Sequence, residues 1–104
     1  MDKGDAIQIA DKYITLISQI YSVRKAILFG SFANGTNHDD SDIAVILDSS
    51  DDIIDTQIEM MKLRRNVDLR IEPHPFRRQD FNDSNPVANE IMKYGIEIRN
   101  SIMY

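Results

Sequence analysis

Apolar residues recur at spacings of three and four over residues 5–22, at Ile7, Ala10, Ile14, Ile17 and Tyr21, which predicts an amphipathic helix. Ala26-Ile27-Leu28-Phe29 is a short apolar run closed by Gly30 and predicts a buried strand. Asn34-Gly35 and the polar stretch to Ser41 predict a turn-rich loop, and Ile43 to Leu47 a second buried strand ending at Asp48. Ser49, Ser50 and Asp51 are N-cap candidates for a helix over about 51–65. Its basic end, Lys62, Arg64 and Arg65, complements the helix dipole. Val67-Asp68-Leu69-Arg70-Ile71 alternates apolar and polar with period two, predicting a third strand ended by Pro73 and Pro75. Pro86 suits the first turn of a helix, and Val87 to Tyr94 keeps helical spacing up to Gly95. Gly95-Ile96-Glu97-Ile98 reads as a short edge strand or an extended tail. The order α-β-β-α-β-α implies an α+β fold: a small mixed sheet of three to four strands flanked by helices.

The 104 residues suit a single domain over 1–104, so any large substrate or partner must be met by this one domain. A net charge of −5 argues against direct nucleic-acid binding, which calls for a basic face. The acidity gathers at Asp39, Asp40, Asp42, Asp48, Asp51, Asp52 and Asp55. Such a run is either a solvated surface with helix caps or a divalent-metal site. The absence of cysteine excludes disulfides and thiolate zinc sites. The opening MDKGDAIQIADKY is too charged for a signal peptide, and no apolar stretch approaches the ~20 residues of a membrane span. A cytoplasmic protein with no membrane partner is expected.

The chemistry concentrates in Leu28-Phe29-Gly30-Ser31-Phe32-Ala33-Asn34-Gly35 and His38-Asp39-Asp40-Ser41-Asp42-Ile43. A buried strand delivers Gly30-Ser31 into an expected helix N-terminus, where free backbone N–H groups and the helix dipole can hold a phosphate and the Ser31 hydroxyl adds a donor. The next strand opens on a carboxylate, and a later segment carries Asp68 between apolar neighbours. Carboxylates at the ends of neighbouring strands can converge on one divalent cation.

Gly-Ser, ten intervening residues and then Asp resembles the signature of the polymerase β-like nucleotidyltransferases, with Asp42 at the first carboxylate position. Asp68 looks like that family's third carboxylate. The similarity continues through Glu72-Pro73-His74-Pro75-Phe76, Asp80-Phe81 and Asn85-Pro86 to Gly95-Ile96-Glu97-Ile98. The resemblance implies two Mg²⁺ ions that clamp an in-line displacement at the α-phosphorus of ATP. It makes Asp42 and Asp68 catalytic, gives metal binding to Asp42, Asp68 and Asp40, and gives nucleotide binding to Gly30 and Ser31.

The family's second aspartate falls at position 44, which is Ala44. Three explanations stand open. Either alanine stands in place of the aspartate; or two residues are lost from a Ser-Asp-Ile-Asp-Val-Ala-Val type of text; or a shorter loop makes Asp40-Ser41-Asp42 the pair. Loss of two residues preserves strand facing, because side chains alternate with period two. The shifted pair places Ser41 where a buried apolar residue is usual. The first two explanations weaken the metal site and the third leaves it intact.

His38, in the loop beside the acidic run, and His74, between prolines, read as surface residues, and Arg70 as either a triphosphate contact or an ion-pair partner of an aspartate. The small size resembles the antitoxins of HEPN/MNT pairs, which bind a helical HEPN toxin and in some cases transfer AMP to a tyrosine on it. The expected function is therefore an Mg-dependent adenylyltransferase-type antitoxin. The rival is an inactive module of the same fold that acts on its partner by contact, with oligomer formation open in both cases.

Overall fold

The computed structural model describes residues 3–30 and 41–100. Helix α1 spans Lys3–Ile17, strand β1 Val23–Phe29, strand β2 Ser41–Leu47 and helix α2 Ile53–Leu63. Strand β3 spans Ile71–Arg77, helix α3 Pro86–Tyr94 and strand β4 Ile96–Asn100. The sheet order is β3-β2-β1-β4, with β1 antiparallel to both β2 and β4 and β3 parallel to β2. This is the mixed, helix-flanked α+β sheet that the sequence predicts, and Ile96-Glu97-Ile98 does form an edge strand.

The two faces of the sheet are covered differently. Ile43, Val45 and Leu47 point with Ala26 and Leu28 toward Ala6, Ala10, Tyr13, Ile14 and Ile17 of α1 and Met60 of α2. Each buried Ile, Val, Leu or Met among them contributes ~1.5–3 kcal/mol through burial, and each alanine less. The buried Tyr13 hydroxyl donates to the Met60 carbonyl at 2.7 Å, joining α1 to α2 without leaving a polar group unpaired. The alternate residues Ala44 and Ile46 face the other way, with Ile27, Ile91 of α3 and the rings of Phe29, Phe76 and Phe81. This second face is less fully covered and carries the candidate site.

Two expectations need correction. The third strand starts at Ile71, not Val67. Asp68 Oδ1 accepts from the backbone N–H of Arg70 at 2.8 Å, and this local turn takes the chain out of extended pairing before the strand begins. Nor do Pro73 and Pro75 end that strand; both lie inside it. On β3 the even-numbered residues turn toward β2, as the bond from Ser41 N to Arg70 O shows. The odd-numbered ones turn away: Ile71 O accepts from Arg64 and Pro73 O from Gln57. The missing proline N–H groups therefore fall on the outer side of an edge strand, where no ladder bond is lost.

The α2 cap is Asp52 rather than Ser49, Ser50 or Asp51. Its carboxylate accepts from Ile54 N and Asp55 N. Asn85 caps α3 in the same way, with Pro86 in the first turn.

Candidate metal and nucleotide site

Asp42 is the second residue of β2 and sits opposite Phe29, the last residue of β1. Across the parallel pairing Asp42 matches Glu72, and Ala44 matches His74. Side chains two apart share a face, so Asp42, Ala44, Glu72 and His74 all look toward the less covered side. Oxygen atoms of Asp42 and Glu72 and a ring nitrogen of His74 lie within 4.8 Å of one another. His74 Nε2 is 3.0 Å from Asp42 Oδ1. The His74 ring leans on Phe29, with ring centroids 5.2 Å apart.

Gly30 follows β1 with φ +82°, a left-handed conformation that glycine adopts without strain. A Cβ there would stand 2.5 Å from Asp42 Oδ2. The glycine is thus required twice, for its backbone angle and for the carboxylate lying against it. Beside this contact a cavity of about 250 Å³ is lined by Phe29, Gly30, Val87, Glu90, Ile91 and Tyr94. It shares Phe29 and Gly30 with the surroundings of the carboxylate cluster.

Of the residues expected at the site, Asp42 and Gly30 are in contact. Ser31, Asp40 and His38 lie outside the described residues. Asp68 is not part of the cluster. Its carboxylate takes Arg70 in a two-point pair, Nε to Oδ1 at 2.9 Å and Nη2 to Oδ2 at 2.6 Å. Hydrogen bonding from the Arg70 side chain, aided by the Arg70 backbone N–H and charge, holds the Asp68 carboxyl down at about 2 against partial burial. Arg70 is thus an ion-pair partner, but within a turn and not along a strand face.

Glu72 and His74 are not among the residues expected at the site, and His74 reads from the sequence as a surface residue. Pro73 and Pro75 make that stretch read as the end of a strand, which hides its alternation. Extending the period-two reading through the prolines would have placed both beside Asp42. The described remainder of the acidic run, from Asp48 to Asp55, does not converge here. Asp48, at the far end of β2, pairs with Arg24 at 2.8 Å, and Asp52 caps α2.

Two carboxylates and an imidazole on adjacent strands are a donor set that fits one divalent cation. Ala44 provides no ligand and is fully buried among Ile27, Ile46 and Ile91.

The site thus sits in a small mixed sheet, where a glycine turn after β1 lies against a carboxylate carried by β2. A family model described as polymerase beta, nucleotidyltransferase, matches residues 11–104, and the chain belongs to that family. No curated protein matches it. Among solved structures it is similar to a protein from Sulfolobus solfataricus named as a nucleotidyltransferase, with TM-score 0.69 and 13% identity over 95% of this chain and 84% of that one. It is also similar to a mutant form of the toxin–antitoxin MntA-HpeT, with TM-score 0.64 and 23% identity over 89% of this chain and 73% of that one. A third likeness is to a toxin–antitoxin with AMP-PNP, with TM-score 0.63 and 21% identity over 89% and 75% of the two chains. At these identities the likeness is one of fold.

Proposed function

We propose that the chain is a nucleotidyltransferase-type antitoxin that binds a nucleoside triphosphate with a divalent cation and acts on a helical HEPN-type toxin in the cytoplasm. The observation that carries this reading is the contact between Gly30 and Asp42 inside a polymerase β-type domain. Support for the partner comes from the solved toxin–antitoxin structures that share the fold.

Asp42 and Glu72 would hold a divalent cation, which would supply neutralisation of phosphate charge. Gly30, with Ser31 by the family resemblance, meets the phosphates, and the cavity between Phe29 and α3 receives the nucleoside. Transfer of AMP forms a bond from the acceptor tyrosine oxygen to the α-phosphorus and breaks the bond to the leaving pyrophosphate. The tyrosine proton passes to a base on the acceptor side. The family resemblance gives that base to Asp68, which can serve only by exchanging Arg70 for the acceptor. Asp40 would restore a second ligand if the pair is Asp40-Ser41-Asp42.

A second reading is favoured by one observation: position 44 is alanine in an apolar setting. In that reading the domain neutralises its toxin by contact alone. Calorimetry with ATP in the presence of Mg²⁺ or Mn²⁺, followed by label transfer from α-labelled ATP to a helical HEPN-type protein, separates the two. Binding with transfer supports the enzyme. Tight partner binding without nucleotide binding supports the contact module and sinks the enzyme.

A further inference from the structure

We infer that His74 is itself a ligand, so that Asp42, Glu72 and His74 form a single-ion centre that selects borderline first-row cations, of the Fe²⁺ to Zn²⁺ class, over Mg²⁺. The inference rests on the proposed cation at Asp42, but not on nucleotide transfer.

Three features of the structure carry it. First, the three donors are brought together by register. Glu72 lies beside Asp42 and His74 beside Ala44, on two strands that run parallel. Second, Ala44 has a side chain small enough for the imidazole in the neighbouring row to lean toward Asp42. His74 Nε2 reaches 3.0 Å from Asp42 Oδ1. Two ligands each ~2.1 Å from an ion, at the right angle of an octahedral site, stand ~3.0 Å apart, which is the separation seen. Third, the Phe29 ring supports the imidazole from the β1 side, so the nitrogen is presented and not swung into solvent.

The ligand types set the preference. Mg²⁺ takes oxygen ligands and keeps much of its water, whereas imidazole suits zinc, copper, iron and nickel. The three donors lie within 4.8 Å of one another, so one ion per chain is expected.

The test is titration of the chain with Mn²⁺ alone, followed by electron paramagnetic resonance, with Zn²⁺ and Mg²⁺ as competitors. One Mn²⁺ per chain is expected, with Zn²⁺ displacing it at a concentration at least tenfold lower than Mg²⁺. Bound Mn²⁺ should show nitrogen modulation from the imidazole. His74→Gln, which keeps a hydrogen-bonding group near Asp42, should abolish the modulation and weaken Zn²⁺ at least tenfold while leaving Mg²⁺ within about threefold. Glu72→Gln should weaken all three ions and keep the modulation. Thermal melts of both variants check that they fold. Binding of Mn²⁺ without nitrogen modulation, or binding of two Mg²⁺ in preference to Mn²⁺, overturns the inference and leaves the proposed nucleotidyltransferase standing. Failure of every ion to bind overturns both.

Discussion

Gly30 and Asp42 are in a contact that leaves no room for a methyl group: a Cβ on Gly30 would stand 2.5 Å from Asp42 Oδ2. Because Gly30 also holds φ +82°, Gly30→Ala meets a backbone penalty of ~1–2 kcal/mol in addition to the clash. The carboxylate is the movable partner and is expected to swing away from Glu72 and His74. Calorimetry should show cation affinity reduced at least tenfold, alongside a lower melting temperature. Unchanged affinity would show that the orientation of Asp42 is not set by this glycine.

Restoring the family's second aspartate is a test of position 44. In Ala44→Asp the carboxylate enters the apolar cluster of Ile27, Ile46 and Ile91 and stands beside His74. Burying it unpaired costs several kcal/mol, so the variant should be strongly destabilised without metal. Added Mg²⁺ should recover part of the loss if position 44 adjoins the cation. A melt insensitive to Mg²⁺ would place the site away from that residue.

Ser41 is fully buried on the α1 side of the sheet, and its hydroxyl has no hydrogen-bond partner among the described residues. Neighbours of the same parity, Ile43, Val45 and Leu47, are apolar. Ser41→Ala removes an unsatisfied group and should stabilise the fold by ~1 kcal/mol, raising the melting temperature by ~4 °C or more. A loss of stability would mean that the hydroxyl is bonded in solution.

The Asp68–Arg70 pair makes a definite acid signature. Asp68 is held down at about 2, below the ~3.9 of an unfolded aspartate. Its contribution is thus complete above pH ~4 and lost as the pH falls toward 2. Asp68→Asn should be less stable at neutral pH by ~1–2 kcal/mol and should lose less on acidification through that window, as read by urea midpoints at several pH values. Its affinity for a cation in the absence of nucleotide should match that of the parent chain. A large fall in affinity would return Asp68 to the metal site.

The fold was legible because its strands are apolar runs and its helices carry spaced apolar residues. Ile43 to Leu47 and Ile7 to Ile17 admit few other readings. Legibility failed where local chemistry beats periodicity. Val67 to Ile71 alternates like a strand, yet the Asp68 carboxylate captures the Arg70 N–H and makes a turn. The same error displaced the site. Asp42 and Gly30 could be read from the motif, whereas Glu72 and His74 depended on knowing that proline is harmless at alternate positions of an edge strand.

That spacing of Pro73 and Pro75 also bears on how the domain meets other chains. An incoming strand laid along the outer side of β3 would find two of the donors it needs missing, and the side chains of Arg64 and Gln57 already bonded to the carbonyls of Ile71 and Pro73. This border of the sheet is chemically closed to strand addition and to the runaway stacking that open borders invite. Recognition of another protein is left to side-chain surfaces, not to backbone pairing at β3.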